Sequence, residues 1–162
     1  MITPKGNKPN PDCEKALRDF PKSHSLKDVC AFIGLASYYR RFIKGFAQIA
    51  QPLHSLTRIG AIFAWTQQCQ EAFDQLKEML ITSPRLAYPT ANQAFILETD
   101  ASKAGLGAVL SQIKSDGKEH PVAYASWALS PQESCYAITE LETLAVVLAI
   151  THLHAYLYGA GK

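Results

Sequence analysis

Phe95-Ile-Leu-Glu-Thr-Asp-Ala-Ser-Lys-Ala-Gly-Leu-Gly-Ala-Val-Leu-Ser-Gln112 is the stretch on which the fold turns. Phe95, Ile96 and Leu97 form an apolar run with strand propensity. The run leads into Glu98-Thr99-Asp100-Ala101-Ser102, which puts a carboxylate at a strand's C-terminal end. Gly105 and Gly107 follow, and then a second apolar run, Ala108 to Leu110. The pattern predicts strand, tight turn, strand, with Asp100 near the turn. Small residues beside an acid let a metal ion or a phosphate backbone come close. A turn aspartate that bonds its own backbone explains the same residues, and from these residues alone it is the favoured reading.

Working outward, Ala94 to Glu98, Gly105 to Ile113 and His120 to Ser126 read as three strands. Ser115-Asp116-Gly117-Lys118 joins the last two, and Asp-Gly is a hairpin signal. Ser130-Pro131 begins a helical turn. Ala137 to Tyr156 reads as a long helix with Leu141, Leu144, Ala145, Leu148 and Leu153 on its apolar side, ended by Gly159-Ala-Gly-Lys162.

Upstream of Pro89-Thr90 the pattern is helical. Residues 1 to 10 read as loop, and Asn10-Pro11 as the start of a short helix reaching Phe20. Ser25-Leu-Lys-Asp28 resembles a capping box before Val29, Phe32, Ile33 and Ala36, with a break expected near Gly34 to Ser37. Phe42, Ile43, Phe46, Ile49, Leu53 and Leu56 supply a second apolar face, with Pro52 near a helix start or kink. Thr66 caps an amphipathic helix over Gln67 to Ile81 with Ala72, Phe73, Leu76, Met79 and Leu80 inward, ended by Ser83-Pro84. The fold class expected is therefore α+β. A helical region occupies residues 1–88, and three antiparallel strands with one long helix occupy 89–162.

The formal charge of +2 is too small to establish nucleic-acid binding, but Arg40, Arg41, Lys44 and Arg58 concentrate basic charge in the first sixty residues. Tyr38, Tyr39, Arg40 and Arg41 mix aromatic and basic groups, which suits stacking on and pairing with a nucleic-acid backbone. A helix with one buried and one wet face explains them equally well. Cys13, Cys30, Cys69 and Cys135 lack Cys-x-x-Cys spacing, which argues against zinc and for reduced, mostly structural thiols. His24, His54, His120, His152 and His154 lack His-x-x-x-His spacing and are poor metal candidates. No apolar run is long enough to span a membrane.

Thr99-Asp100-Ala101-Ser102 followed by Gly105-Leu-Gly-Ala-Val-Leu-Ser-Gln112 resembles the first strand and turn of the ribonuclease H domain of gypsy-type LTR retrotransposon Pol polyproteins. Phe32 to Ile43, Ala50-Gln-Pro-Leu53, Phe63-Ala-Trp-Thr66, Pro121 to Ser126 and Thr139 to Val147 fit the same family in order and spacing. The resemblance reverses the reading of Asp100. It implies a thumb-like region after the reverse transcriptase palm, then the first half of ribonuclease H. It also implies Asp100 and Glu142 as catalytic metal ligands for Mg²⁺, with Glu98 a lesser contributor. Mg²⁺ takes hard oxygen ligands, and two ions clamp the attacking water and leaving oxygen of a phosphodiester. Glu140 is the rival of Glu142. Helix geometry separates them by about 200°, so only one points inward, and Ala145, Val146 and Val147 put Glu142 in the family's phase.

The implied partners are RNA–DNA hybrid or template–primer nucleic acid, contacted through Tyr39, Arg40, Arg41 and Lys44, and the rest of the Pol polyprotein. The implied compartment is intracellular, with no membrane. Trp127 stands where relatives often carry a basic residue, which puts one hybrid contact in question. The family's third acid lies on a fourth strand beyond Tyr156-Leu-Tyr-Gly159, and this chain stops at Lys162. Two functions are therefore expected. One is a piece of an enzyme whose parent cleaves RNA in hybrids. The other is a nonenzymatic remnant that binds nucleic acid or a protein.

Overall fold

The computed structural model describes residues 2–3, 6–7, 15–16, 18–21, 25–58, 60–82 and 86–158. Strands β1 (Ile2–Thr3) and β2 (Gly6–Asn7) pair antiparallel, where the sequence predicts a loop. Such a short pairing rests on backbone groups and leaves no side-chain period to read. Lys15, Ala16 and Arg18 are helical, but the predicted cap at Asn10-Pro11 lies outside the described residues.

Helix α1 (Leu26–Tyr38) starts at Ser25, whose Oγ accepts from the Asp28 N–H at 3.3 Å. This is the capping geometry the sequence predicts. The predicted break near Gly34 to Ser37 does not occur, because α1 runs through Gly34 to Tyr38. Gly34 is exposed, and burial of Val29, Phe32, Ile33 and Ala36 offsets its helix cost of about 1 kcal/mol. A 3-10 turn (Arg40–Phe42) and Gly45, at φ +68°, then redirect the chain into helix α2 (Phe46–Leu56). Pro52 lies inside α2 rather than at its start. Helix α3 (Gln67–Ile81) is capped by Thr66, whose Oγ1 accepts from the Cys69 N–H at 3.3 Å. Phe32, Phe42, Leu53, Phe73 and Leu76 meet in one core between these helices, with ring centroids of Phe32 and Phe73 4.3 Å apart. The predicted stop at Ser83-Pro84 falls outside the described residues, as does Gly159 to Lys162.

Strands β3 (Ile96–Ser102), β4 (Gly105–Ile113) and β5 (Glu119–Trp127) form an antiparallel sheet in the order β3-β4-β5. Asp100 is thus inside β3, paired with Gly107, and not in the turn; the strand continues to Ser102. The β4–β5 hairpin closes through Gly117 at φ +72°, with the Lys114 N–H donating to Lys118 O at 2.9 Å. A register shift between Leu110 and Ser111 sits opposite Pro121, which has no N–H to give to the ladder.

Helix α4 (Ile138–His152) is shorter than the predicted span. A junction at Leu153 separates it from one further turn, His154–Leu157. Leu141, Ala145 and Ala149 on α4, with Leu153 beyond it, cover Leu106, Ala108 and Leu110 of β4. Tyr124, on the opposite face of β5, packs against the core of helices α1 to α3. The sheet therefore has helices on both sides. The side chain of Gln48 on α2 donates from Nε2 to Gly105 O at 3.2 Å, and the Ala47 N–H donates to Ser126 Oγ at 3.1 Å.

Gly105 has φ +155°, and a Cβ there would lie 2.8 Å from Trp127 O and 3.3 Å from Gln48 Cγ. Gly105→Ala is expected to destabilise the chain by about 1–3 kcal/mol through strain and overlap. By contrast, a Cβ on helical Gly34 meets no heavy atom within 4 Å, so Gly34→Ala is expected to stabilise by about 0.5–1 kcal/mol. Urea unfolding of the two variants checks both signs.

Candidate active site

Asp100 and Glu142 reach one cleft from different elements. Asp100 comes from the fifth position of β3 and Glu142 from the second turn of α4, and both are exposed. Thr99, Thr139 and Thr143 complete its polar wall, and Ala101 and Val146 its apolar part. Strand alternation places Leu97 and Ala101 toward α4 and Glu98 and Asp100 on the opposite side. Asp100 nevertheless borders the Glu142 cleft, because β3 is an edge strand with no neighbour on its outer side among the described residues.

Glu140 has a different task. Its Oε2 accepts the Ala137 N–H at 2.7 Å, closing the first turn of a helix whose N-cap is an alanine without a polar side chain. The two acids that the sequence leaves in competition thus have different surroundings: one caps the helix and the other lines the cleft that Asp100 borders.

A second cleft lies on the other side of β3. Lys44, Gly45 and Gln48 line it together with Glu98, Asp100 and Gly107. Glu98 therefore shares a cleft with Asp100 but not with Glu142. Gly107, opposite Asp100 in the ladder, keeps that cleft open, because it has no side chain to fill it.

Of the four residues predicted to contact nucleic acid, three are exposed and one is buried. Tyr39 is a correction: it is 6% exposed, in contact with Tyr38 and Phe42, so its ring cannot stack on a base. The exposed ring is that of Tyr38, at 77%. Arg40 and Arg41 are exposed, and the Arg41 guanidinium lies 5.0 Å from the Phe42 ring centroid. Lys44 alone reaches the cleft that Asp100 borders. Trp127 packs toward α4, its ring 5.7 Å from that of His152, so it belongs to the core behind the sheet.

Among the described residues no three His, Cys, Asp or Glu side chains cluster as a metal site. His120 pairs with Asp116 at 2.8 Å, and His154 stacks on Tyr158. Cys30, Cys69 and Cys135 are free thiols. Sequence reasoning missed Gln112. Its fully buried side chain accepts from the Thr90 N–H at 2.8 Å and donates to Thr90 O and Gln93 O, tying the 90–93 turn to β4. Nothing in the local pattern marks a buried glutamine; its partners lie some twenty residues away.

An antiparallel sheet opening on an acid-bearing strand, followed by a long helix with a second acid over its edge, defines a ribonuclease H-like architecture. The chain belongs to the family described as the RNase H-like domain found in reverse transcriptase, whose model matches residues 65–162. It is 38% identical over 99% of its length to the retrovirus-related Pol polyprotein from transposon opus of Drosophila melanogaster, covering 17% of that protein. It is 37% identical over 99% of its length to the corresponding polyprotein from transposon gypsy, covering 16%. The chain thus corresponds to a segment, less than a fifth, of these retroelement polyproteins. In fold it matches a foamy viral protease-reverse transcriptase solved in complex with RNA/DNA hybrid, with a TM-score of 0.80. That match covers 98% of this chain and 21% of the other, at 19% identity. The same foamy viral enzyme in complex with dsDNA gives a TM-score of 0.69 over 92% of this chain and 31% of that one. Among the described residues no helix is long and apolar enough to cross a membrane.

Glu140→Ala is expected to lower stability by about 0.5–1 kcal/mol, since it removes both the cap bond and an acid from the positive end of the helix dipole. Glu142→Ala, two residues further in and without a cap bond, is expected to change it by less than about 0.5 kcal/mol. Thermal melts of the two variants measure the difference.

Proposed function

We propose that this chain carries part of the active site with which a retroelement polyprotein hydrolyses the RNA strand of RNA–DNA hybrids. The single observation that carries the proposal is that Asp100 and Glu142, from strand and helix, line one open cleft. In this reading the chain divides near residue 88. The helical part, 1–88, is thumb-like, with α1 to α3 on the face of the sheet opposite α4, while 89–162 supplies the first carboxylates. Hybrid nucleic acid is the partner, with the remainder of the polyprotein.

The donors present fit magnesium in kind. Two carboxylates and the hydroxyls beside them are hard oxygens, and an exposed cleft leaves room for the waters that Mg²⁺ keeps. Asp100 and Glu142 are the residues that would hold it. When bound, a magnesium pair supplies charge stabilisation for a phosphodiester displacement. The donors do not suffice in number for such a pair, because no third acid joins them among the described residues. What this chain does by itself is fix two acids at a sheet edge and present Lys44 on the other side of β3. The same deficit supports a second reading, in which the isolated chain binds hybrid without cutting it.

Two experiments test the proposal. Titration calorimetry of the 162-residue chain with Mg²⁺ is expected to show only weak binding; tight stoichiometric uptake would show that the donor set has been misjudged. The second follows Mg²⁺-dependent release of fragments from a labelled hybrid. The chain alone is expected to release none. Joined to a segment that adds a strand beside β3 with a third carboxylate, it is expected to cleave. Asp100→Asn or Glu142→Gln should then remove activity by about a hundredfold or more, and Glu140→Gln should retain it. An extended chain that folds but stays active without Asp100 would refute the assignment.

A further inference from the structure

A third cleft, bordered by neither Asp100 nor Glu142, lies where three segments converge. Gln51, His54 and Arg58 come from α2 and the turn after it, Lys103 from the β3–β4 turn, and Ser130 and Ser134 from the β5–α4 connection. Among the described residues no Asp or Glu lines it. Lys103 is pinned: its Nζ donates to Ser134 O at 2.9 Å and to Tyr136 O. An ammonium has three N–H donors, so one remains for a ligand. Among the described residues neither His54 nor Arg58 makes a side-chain hydrogen bond or ion pair. Burial holds the His54 pKa below its ordinary value, so the ring is neutral near pH 7 and offers one N–H. Ser130 Oγ accepts from the Glu133 N–H at 3.3 Å and its hydroxyl is hydrogen-bonded to the Glu133 carboxylate, so it leaves no free donor in the cleft. The Glu133 carboxylate is bonded back to the Ser130 N–H at 2.7 Å. Its single charge leaves an excess against the two permanent cations, Lys103 and Arg58.

We propose that this cleft binds a phosphate oxyanion, and that the phosphate is a backbone phosphodiester of bound nucleic acid. Two cations with amide and imidazole donors, and no acid in the lining among the described residues, match that chemistry. Position favours the polymer over free phosphate. Lys103 follows Asp100 by three residues, a reach of at most about 10 Å. At about 3.4 Å of rise per nucleotide, a strand held at Asp100 passes this cleft within about three nucleotides. Contact there would set the register of the strand relative to the acids while reading no base.

The inference rests on the hybrid-binding reading above, and the test separates the two. Binding of a short fluorescein-labelled RNA–DNA hybrid to the 162-residue chain is measured by anisotropy across a salt series. Arg58, exposed and without a side-chain partner among the described residues, is replaced by Glu in the test variant, Arg58→Glu. Lys27→Glu on the exposed face of α1 is the charge-matched control. The expected result is a loss of affinity on the order of fivefold to tenfold for Arg58→Glu beyond the control. The slope of log affinity against log salt is expected to flatten by about one. Equal affinities and slopes for Arg58→Glu and Lys27→Glu overturn the site and leave the hybrid-binding reading standing. Should the wild-type chain bind no hybrid, that reading fails, and inorganic phosphate then reads the cleft directly by NMR. Amide shifts at Lys103, Ser130 and Ser134 that vanish in Arg58→Glu support an oxyanion site filled by free phosphate; no shifts overturn it.

Discussion

Strand β4 is the member on which the others depend. It is paired on both edges, to β3 and β5, and every residue from Gly105 to Gln112 is buried except half-buried Val109. Its two sides have opposite characters. Leu106, Ala108 and Leu110 accept the small stripe of α4, Ala145 and Ala149 with Leu141. Gly105 lets α2 and its Gln48 come against the other side. Small residues on both partners allow the close approach, and the packing then excludes water from the ladder.

That arrangement makes the helical part and the sheet mechanically continuous. The N-terminal N–H groups of α2 would be orphaned without a polar side chain at the cap, since Gly45 provides none. Ser126 of β5 supplies one acceptor from across the molecule. Gln48 holds the turn that follows the Asp100 strand. The clefts on either side of β3 and the cleft around Lys103 all lie on seams between these layers. Binding groups drawn from different elements can converge only at such seams.

The face of α4 turned from the sheet carries Val146, Val147 and Ile150, all substantially exposed. β3, at the edge of the sheet, has no strand on its outer side among the described residues.

Much was legible in the residue order. Periodicity and capping chemistry, both local, fixed α1 at Ser25, α3 from Thr66 to Ile81 and strands β4 and β5 to within one residue, while β3 runs four residues past its expected end at Glu98. The resemblance supplied the ribonuclease H-like class, and the family match carries it. Where local chemistry was outvoted by packing, the sequence misled: Gly34 stays helical because the other side of α1 is buried, and Tyr39 turns inward because Phe42 and the core accept its ring. Asp100 entered the strand because Gly107 pairs opposite it. The tertiary structure alone shows that Glu140 caps the helix while Glu142 lines the cleft that Asp100 borders. It alone revealed Gln112 as a staple, and His54, Arg58 and Lys103 as neighbours. Those relations join residues far apart in the chain, and no pattern within a window of sequence encodes the distance between them.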